Sequence, residues 1–119
     1  MASASYDLEE RTTVFANLVI ELCLEVRETA VTRPLISQLV RSGTSIGANY
    51  CEADDAESKP DFRHKIALCR KESREAKYWC RLLAQAVPEK KAPLRSLWTE
   101  ANELNLIFST IFRKSTPVK

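Results

Sequence analysis

Residues 62–83 read FRHKIALCRKESREAKYWCRLL, and one line of small and apolar side chains runs through them. Phe62, Ile66, Cys69, Ser73, Ala76, Cys80 and Leu83 recur at alternating steps of four and three. At 100° per residue these steps keep every member on one side of an α-helix, giving the kind of seam by which bundle helices meet. Ser58 followed by Asp61 follows capping-box logic, with Pro60 in the first turn, where its missing N–H costs nothing. Pro88 ends the pattern.

Outward from this helix, comparable stripes appear on both sides. Pro34 suits the first turn of a second helix, in which Leu35, Leu39, Ile46 and Ala53 continue the stripe to about Ala56. Before it, Asp7 and Glu10 form a capping box. The helix they open is expected to run to about Thr29, with Leu8, Phe15, Leu18, Leu22 and Val26 on one face. Val31-Thr32-Arg33 reverses the chain. After Pro88–Pro93, Leu94, Leu97, Ala101, Leu104, Phe108 and Ile111 mark a fourth helix, followed by a polar end from Arg113 to Lys119. Connections this short make neighbouring helices antiparallel. The prediction is an all-α, antiparallel up-down-up-down four-helix bundle, a single domain over residues 1–119 with frayed ends at about 1–6 and 114–119.

Composition agrees with this outline and narrows the function. A chain of 119 residues with 45% hydrophobic content can supply one core. Its net charge of +2 falls far short of a dedicated nucleic-acid binder's basic excess, so charge informs only through placement. Met1–Ser5 contains no basic residue, and the apolar stretch from Val14 to Val26 is interrupted by Asn17, Glu21 and Glu25. The reading is therefore neither signal peptide nor membrane span. Cys23, Cys51, Cys69 and Cys80 form no C-x-x-C unit and fall inside helical patterns, as expected of reduced, buried thiols in cytosol.

Two features exceed what a plain bundle needs. The first is the run Arg41-Ser42-Gly43-Thr44-Ser45-Ile46-Gly47-Ala48-Asn49 within the second helix. Each glycine there costs about 1 kcal/mol relative to alanine. Gly43 and Gly47 share a face, so a neighbour is expected to approach closely there. Beside them Ser42, Ser45, Asn49 and Glu52 form a polar ridge that needs full hydrogen bonding if buried. Arg41, Ser45, Asn49 and Glu52 are the candidate polar packing network, with Arg41 pairing to a carboxylate of the ridge and setting register against the third helix.

The second feature lies on the third helix. Arg63, Arg70, Arg74, Lys77 and Arg81 follow at steps of seven, four, three and four, within an arc of about 60°, and Glu72 and Glu75 point elsewhere. Five cations on one line are a candidate track for a phosphate backbone, the competing reading being a solvated face. Leu68, Trp79 and Leu82 lie opposite the stripe. They give the helix more apolar surface than one seam needs, which makes them candidates for a subunit interface.

Several blocks resemble the bundle proteins encoded within intervening sequences of bacterial 23S ribosomal RNA genes. They are Arg41–Asn49 followed by Glu52-Ala53, then Ser58-Lys59-Pro60-Asp61-Phe62, then Ile66-Ala67-Leu68 with Glu72, Glu75, Tyr78-Trp79 and Leu82-Leu83. The resemblance covers nearly the whole chain. It implies a cytoplasmic bacterial protein forming a ring-like homopentamer. It also links to the accessory protein of diversity-generating retroelements, a similar bundle that binds nucleic acid and a reverse transcriptase. Many family members have Gly where this chain has Ala53, which bears on the end of the second helix.

Enzymatic readings fail on their requirements. A ferritin-like di-iron site needs two Glu-x-x-His pairs, and this chain has one histidine, His64, better explained with Asp61 as part of a helix start. No cysteine pattern places a thiol beside His64, the acidic run Asp54–Glu57 lacks a calcium loop's alternating ligands, and no phosphate-cradling glycine loop occurs. No metal and no cofactor are expected. Two readings of different class stay open, an oligomeric scaffold that binds RNA or DNA through the third helix and an assembly that binds another protein.

Overall fold

Capping side chains mark where two of the helices begin. In the computed structural model, which describes residues 7–115, Asp7 accepts a hydrogen bond from the Glu10 N–H (3.0 Å) and opens α1 (Leu8–Leu24). Ser58 accepts from the Asp61 N–H (3.1 Å) and opens α3 (Lys59–Ala86), with Pro60 in its first turn. Between them lies α2 (Thr32–Asp54), and a 3₁₀ turn at Pro88–Lys90 leads into α4 (Lys91–Lys114). The chain is an all-α arrangement of four helices, with no strand among the described residues. The expected frayed ends at 1–6 and 116–119 lie outside the described residues, while Lys114 is still helical.

The first helix stops five residues before the expected Thr29, and two threonines explain why. Thr29 Oγ1 accepts from the N–H groups of Val31 (3.2 Å) and Thr32 (3.0 Å). Thr32 Oγ1 accepts from the Thr29 N–H (2.8 Å) and donates to the Arg27 carbonyl (2.7 Å). These side chains take up backbone groups that a longer helix would have bonded to itself.

The seam of α3 is buried as its periodicity requires from its second member on, with Ile66, Cys69, Ser73, Ala76 and Leu83 fully enclosed and Cys80 nearly so, while Phe62 in the first turn is only half-buried. Facing it are Leu39 and Ile46 from α2, Leu104 and Phe108 from α4, and Phe15 and Val19 from α1. Leu18, expected in the core, is 47% exposed. The buried face of α1 contains Phe15, Val19 and Leu22, and Leu18 sits about 100° around the helix from Val19.

α3 packs extensively on both α2 and α4, whereas α1 lies mainly on α2 and only lightly on α4. The glycine run makes the α1 seat possible. A Cβ at Gly47 would lie 2.9 Å from Thr12 Oγ1 and 3.2 Å from Thr12 Cβ, and one at Gly43 would lie 3.1 Å from Val19 Cγ2. Thr12 is fully buried, and its hydroxyl is satisfied within α1, bonding the Leu8 carbonyl at 2.7 Å. The opposite side of α1 is tied to α4 by Arg11, whose guanidinium meets Glu100 (2.7 Å) and Glu103 (2.7 Å). The Glu100 hydrogen bond raises the Arg11 pKa further above its already high value, against an opposing desolvation effect.

Three of the four cysteines are buried, but Cys51 is exposed, which corrects the expectation that all four thiols are enclosed. Cys51 lies off the buried face of α2 that carries Ile46 and Ala53. Burial pushes the Cys23 thiol up to about 11 and those of Cys69 and Cys80 up to about 12. Native protein at pH 8 should therefore consume one equivalent of a thiol reagent per chain, at Cys51, and four after denaturation. Raised folded-state values also mean that the stability contributed by these neutral thiols is complete below pH 9 and is lost as pH climbs through 11 to 12. A urea midpoint that falls over that range in the native chain, and falls less in a Cys69→Ala, Cys80→Ala variant, would show this contribution.

Candidate nucleic-acid interface

The five cations expected on one exposed line of α3 separate into two groups. The Arg63 guanidinium carbon lies 3.7 Å from the centre of the Phe112 ring, and that of Arg70 lies 4.1 Å from the same ring. Lys77 Nζ sits 5.4 Å from the Trp98 ring centre and donates to Asn102 Oδ1 (3.0 Å). These three cations are spaced seven apart on α3, and Trp98, Asn105 and Phe112 are spaced seven apart on the antiparallel α4. Arg63, Arg70 and Lys77 are thus half-buried in the α3/α4 seam as packing elements, with long stems and cationic heads laid on aromatic rings. Asn105 completes the seam by donating to the Arg70 carbonyl (2.8 Å) and the Ser73 hydroxyl (3.3 Å). Arg74 and Arg81 are the exposed members of the five.

The packing of α3 against α4 brings further cations beside these two. Lys71 lies next to Arg74, and Lys91 and Arg95 from the start of α4 face Arg81. Among the described residues the side chains of Lys71, Arg74, Arg81, Lys91 and Arg95 make no ion pair, hydrogen bond or ring contact. The modest net charge conceals a separation. α3 carries eight Lys and Arg against three acidic residues, and α4 four against two, whereas α1 has three glutamates and one arginine. The connections at 25–31 and 55–58 add four acidic residues and one basic. Lys91 and Arg95 were not legible as site residues, because they belong to a different helix from the stripe and are joined to it only by packing.

The polar ridge of α2 divides its bonds differently from the expected pairing within the ridge. Arg41 meets Glu72 (3.1 Å) and Glu75 of α3, not Glu52, and its Nε donates to Gln38 (2.9 Å). Glu52 instead meets Lys65 of α3 (2.7 Å). Ser45 donates to the Arg41 carbonyl (2.6 Å) and Asn49 to the Ser45 carbonyl (2.8 Å), both within α2. The three ion pairs, two from Arg41 and one from Glu52, therefore set the register of α2 on α3. Glu72 is 8% exposed, so Arg41→Ala strands a nearly buried carboxylate and should cost about 1–2 kcal/mol, less than a fully buried pair because Arg41 is itself partly solvated. Urea unfolding checks this, and Arg41→Ala combined with Glu72→Gln should recover part of the loss.

Leu68, Trp79 and Leu82 are all half-buried. Trp79 is committed within the chain, packing against the core, lying 5.1 Å from the Tyr78 ring and donating its indole N–H to Glu75 (3.2 Å). More apolar surface is exposed on α1, where Val14, Leu18, Ile20 and Leu24 are each 39% exposed or more. Periodicity had assigned Leu18 to the core, so it gave no signal for this surface.

The model for the 23S rRNA-intervening sequence protein family matches residues 6–109. The chain belongs to that family. A crystal structure of a protein of unknown function from the S23 ribosomal protein family of Bacteroides thetaiotaomicron is similar to it. Identity is 30%, the alignment covers 87% of this chain and 96% of that one, and the TM-score is 0.77. No curated protein matches the chain. In this member of the 23S rRNA-intervening sequence family, the Arg41–Asn49 block is the α1/α2 crossing together with the Arg41 tie to α3. Ala53 is buried in the last turn of α2, where its methyl joins the core. No helix among the described residues is long and apolar enough to cross a membrane.

Proposed function

We propose that this family member is a non-enzymatic, cytoplasmic, homo-oligomeric bundle that binds RNA or DNA through the joint α3/α4 face. The observation that carries this reading is the separation of charge. Five cations with no partner among the described residues gather on α3 and the start of α4, while α1 and the loops hold the acidic excess. Unpaired cations on one face lose little on meeting phosphates and gain by releasing condensed counterions. Three buried, unpaired thiols suit a reducing compartment.

Light scattering and fluorescence anisotropy on the same sample test both halves of the proposal. An oligomer that binds RNA or DNA, with an affinity that falls steeply from 50 to 200 mM salt, is the expected result. An oligomer indifferent to both nucleic acids would move the function to a protein partner. The exposed Val14, Leu18, Ile20 and Leu24 of α1 favour that second reading. A monomer would remove the oligomeric half of the proposal. A homopentamer is the particle size expected from the family resemblance.

A further inference from the structure

The start of α4 and the end of α3 border an open cleft of about 720 Å³, lined by Arg81, Lys91 and Arg95 together with Trp98, Cys80 and Leu94. Its size lies within the range of sites that enclose an organic ligand. Trp98 is half-buried, packed in part against the core and in part bordering the cleft, and Lys77, 5.4 Å from its ring centre, is not among the residues that line the cleft. Nearby, a second depression of about 810 Å³ is bordered by Lys71, Arg74 and Tyr78, whose ring is 52% exposed. Arg74 and Arg81 are seven residues apart on α3, roughly 10 Å along its axis. One face of the protein thus presents an aromatic ring among free cations, then the same combination again.

We propose that this face binds single-stranded nucleic acid, with an unpaired base stacked on Trp98 in the cleft and the adjoining phosphates held by Arg81, Lys91 and Arg95. The inference rests on the nucleic-acid reading above and adds strandedness and a stacking residue to it. In a duplex the neighbouring base pairs cover each base face, so a ring recessed in a cleft has nothing to stack on. A single strand can turn a base outward, and every base offers a π-face to an aromatic platform. The cations supply the second element of single-strand recognition, a backbone contact indifferent to sequence. Cys80 contributes a wall and no chemistry, because burial keeps it a thiol.

The test uses the full chain with fluorescein-labelled rA12 and dA12 and with a mixed-sequence 12-base-pair duplex. In a Trp79→Phe background, where Trp98 is the remaining indole, either single strand should quench the intrinsic fluorescence. Trp98→Ala should weaken single-strand binding about tenfold or more while leaving the salt slope unchanged, and Trp98→Phe should restore much of the affinity. Arg81→Gln should instead flatten the salt slope by about one unit. Stronger binding to the duplex, or single-strand affinity unchanged by Trp98→Ala together with no quenching of the Trp98 fluorescence, would overturn the stacking inference and leave nucleic-acid binding intact. Failure of the unmodified protein to bind any of the three probes would overturn the parent reading. Quenching is read on a chain that retains Trp98, so a poorly folded alanine variant cannot decide the result alone.

Discussion

Replacing Arg74, Arg81 and Arg95 together with glutamine should lower single-strand affinity about 100-fold at 0.1 M salt and make the salt dependence about two units less steep. On a single strand each cation that neutralises a phosphate releases about 0.7 of a counterion, so three lost contacts remove roughly 0.7 log units apiece at that salt concentration. The same substitutions should barely change the melting temperature, because none of the three side chains has a partner among the described residues. Substituting Arg63, Arg70 and Lys77 would be a poorer experiment. Those cations lie on Phe112 and Trp98, so lost binding would be mixed with lost packing. If the glutamine variant binds as well as the native chain and with the same salt slope, the α3/α4 face is not the site.

Gly47→Val is expected to be the most damaging single change at the α1/α2 crossing. Even a lone Cβ would press within 3.2 Å of the Thr12 Cβ, which is fixed to the backbone of α1, and the two further methyls of valine add bulk at a point already too close. Overpacking at this site should cost about 3 kcal/mol, because α1 must move off α2 and expose Phe15, Val19 and Leu22. α1 has little on α4 besides the Arg11 bridges to retain it. Thermal unfolding followed by circular dichroism should show the midpoint lowered by roughly 10 °C or more. Gly47→Ala pits a helix-propensity gain of about 1 kcal/mol against a smaller clash and should cost less. A valine variant as stable as the native chain would mean that the two helices can separate freely and that the glycines are not needed for the crossing.

Much of the bundle was visible in the order of residues because the relevant physics is local. A helix declares its buried side through steps of three and four, and Ile66, Cys69, Ser73, Ala76, Cys80 and Leu83 are buried where those steps placed them. Asp7 and Ser58 cap as their positions indicated, since a side chain reaching the N–H three residues on needs no tertiary partner. Leu18 failed the same logic, because adjacent stripes on a helix rich in apolar residues look alike until a neighbour covers one of them. The early end of α1 was missed because the bonds between Thr29 and Thr32 compete with the helix and leave no break in the periodicity.

The site was legible only in part. Sequence alone determined that α3 carries a basic line and that α2 carries closely spaced glycines, since both follow from positions on one helix. Only tertiary structure decided which cations are free. Docking α4 placed Phe112 under Arg63 and Arg70 and Trp98 beside Lys77, taking those three into the seam, and it brought Lys91 and Arg95 alongside Arg81. It likewise gave Arg41 to Glu72 and Glu75 across the α2/α3 boundary. Helical periodicity relates residues a few positions apart on one element. The environment of a charge is set by whatever lies within a few ångströms of it, and in a bundle that neighbour belongs to another helix.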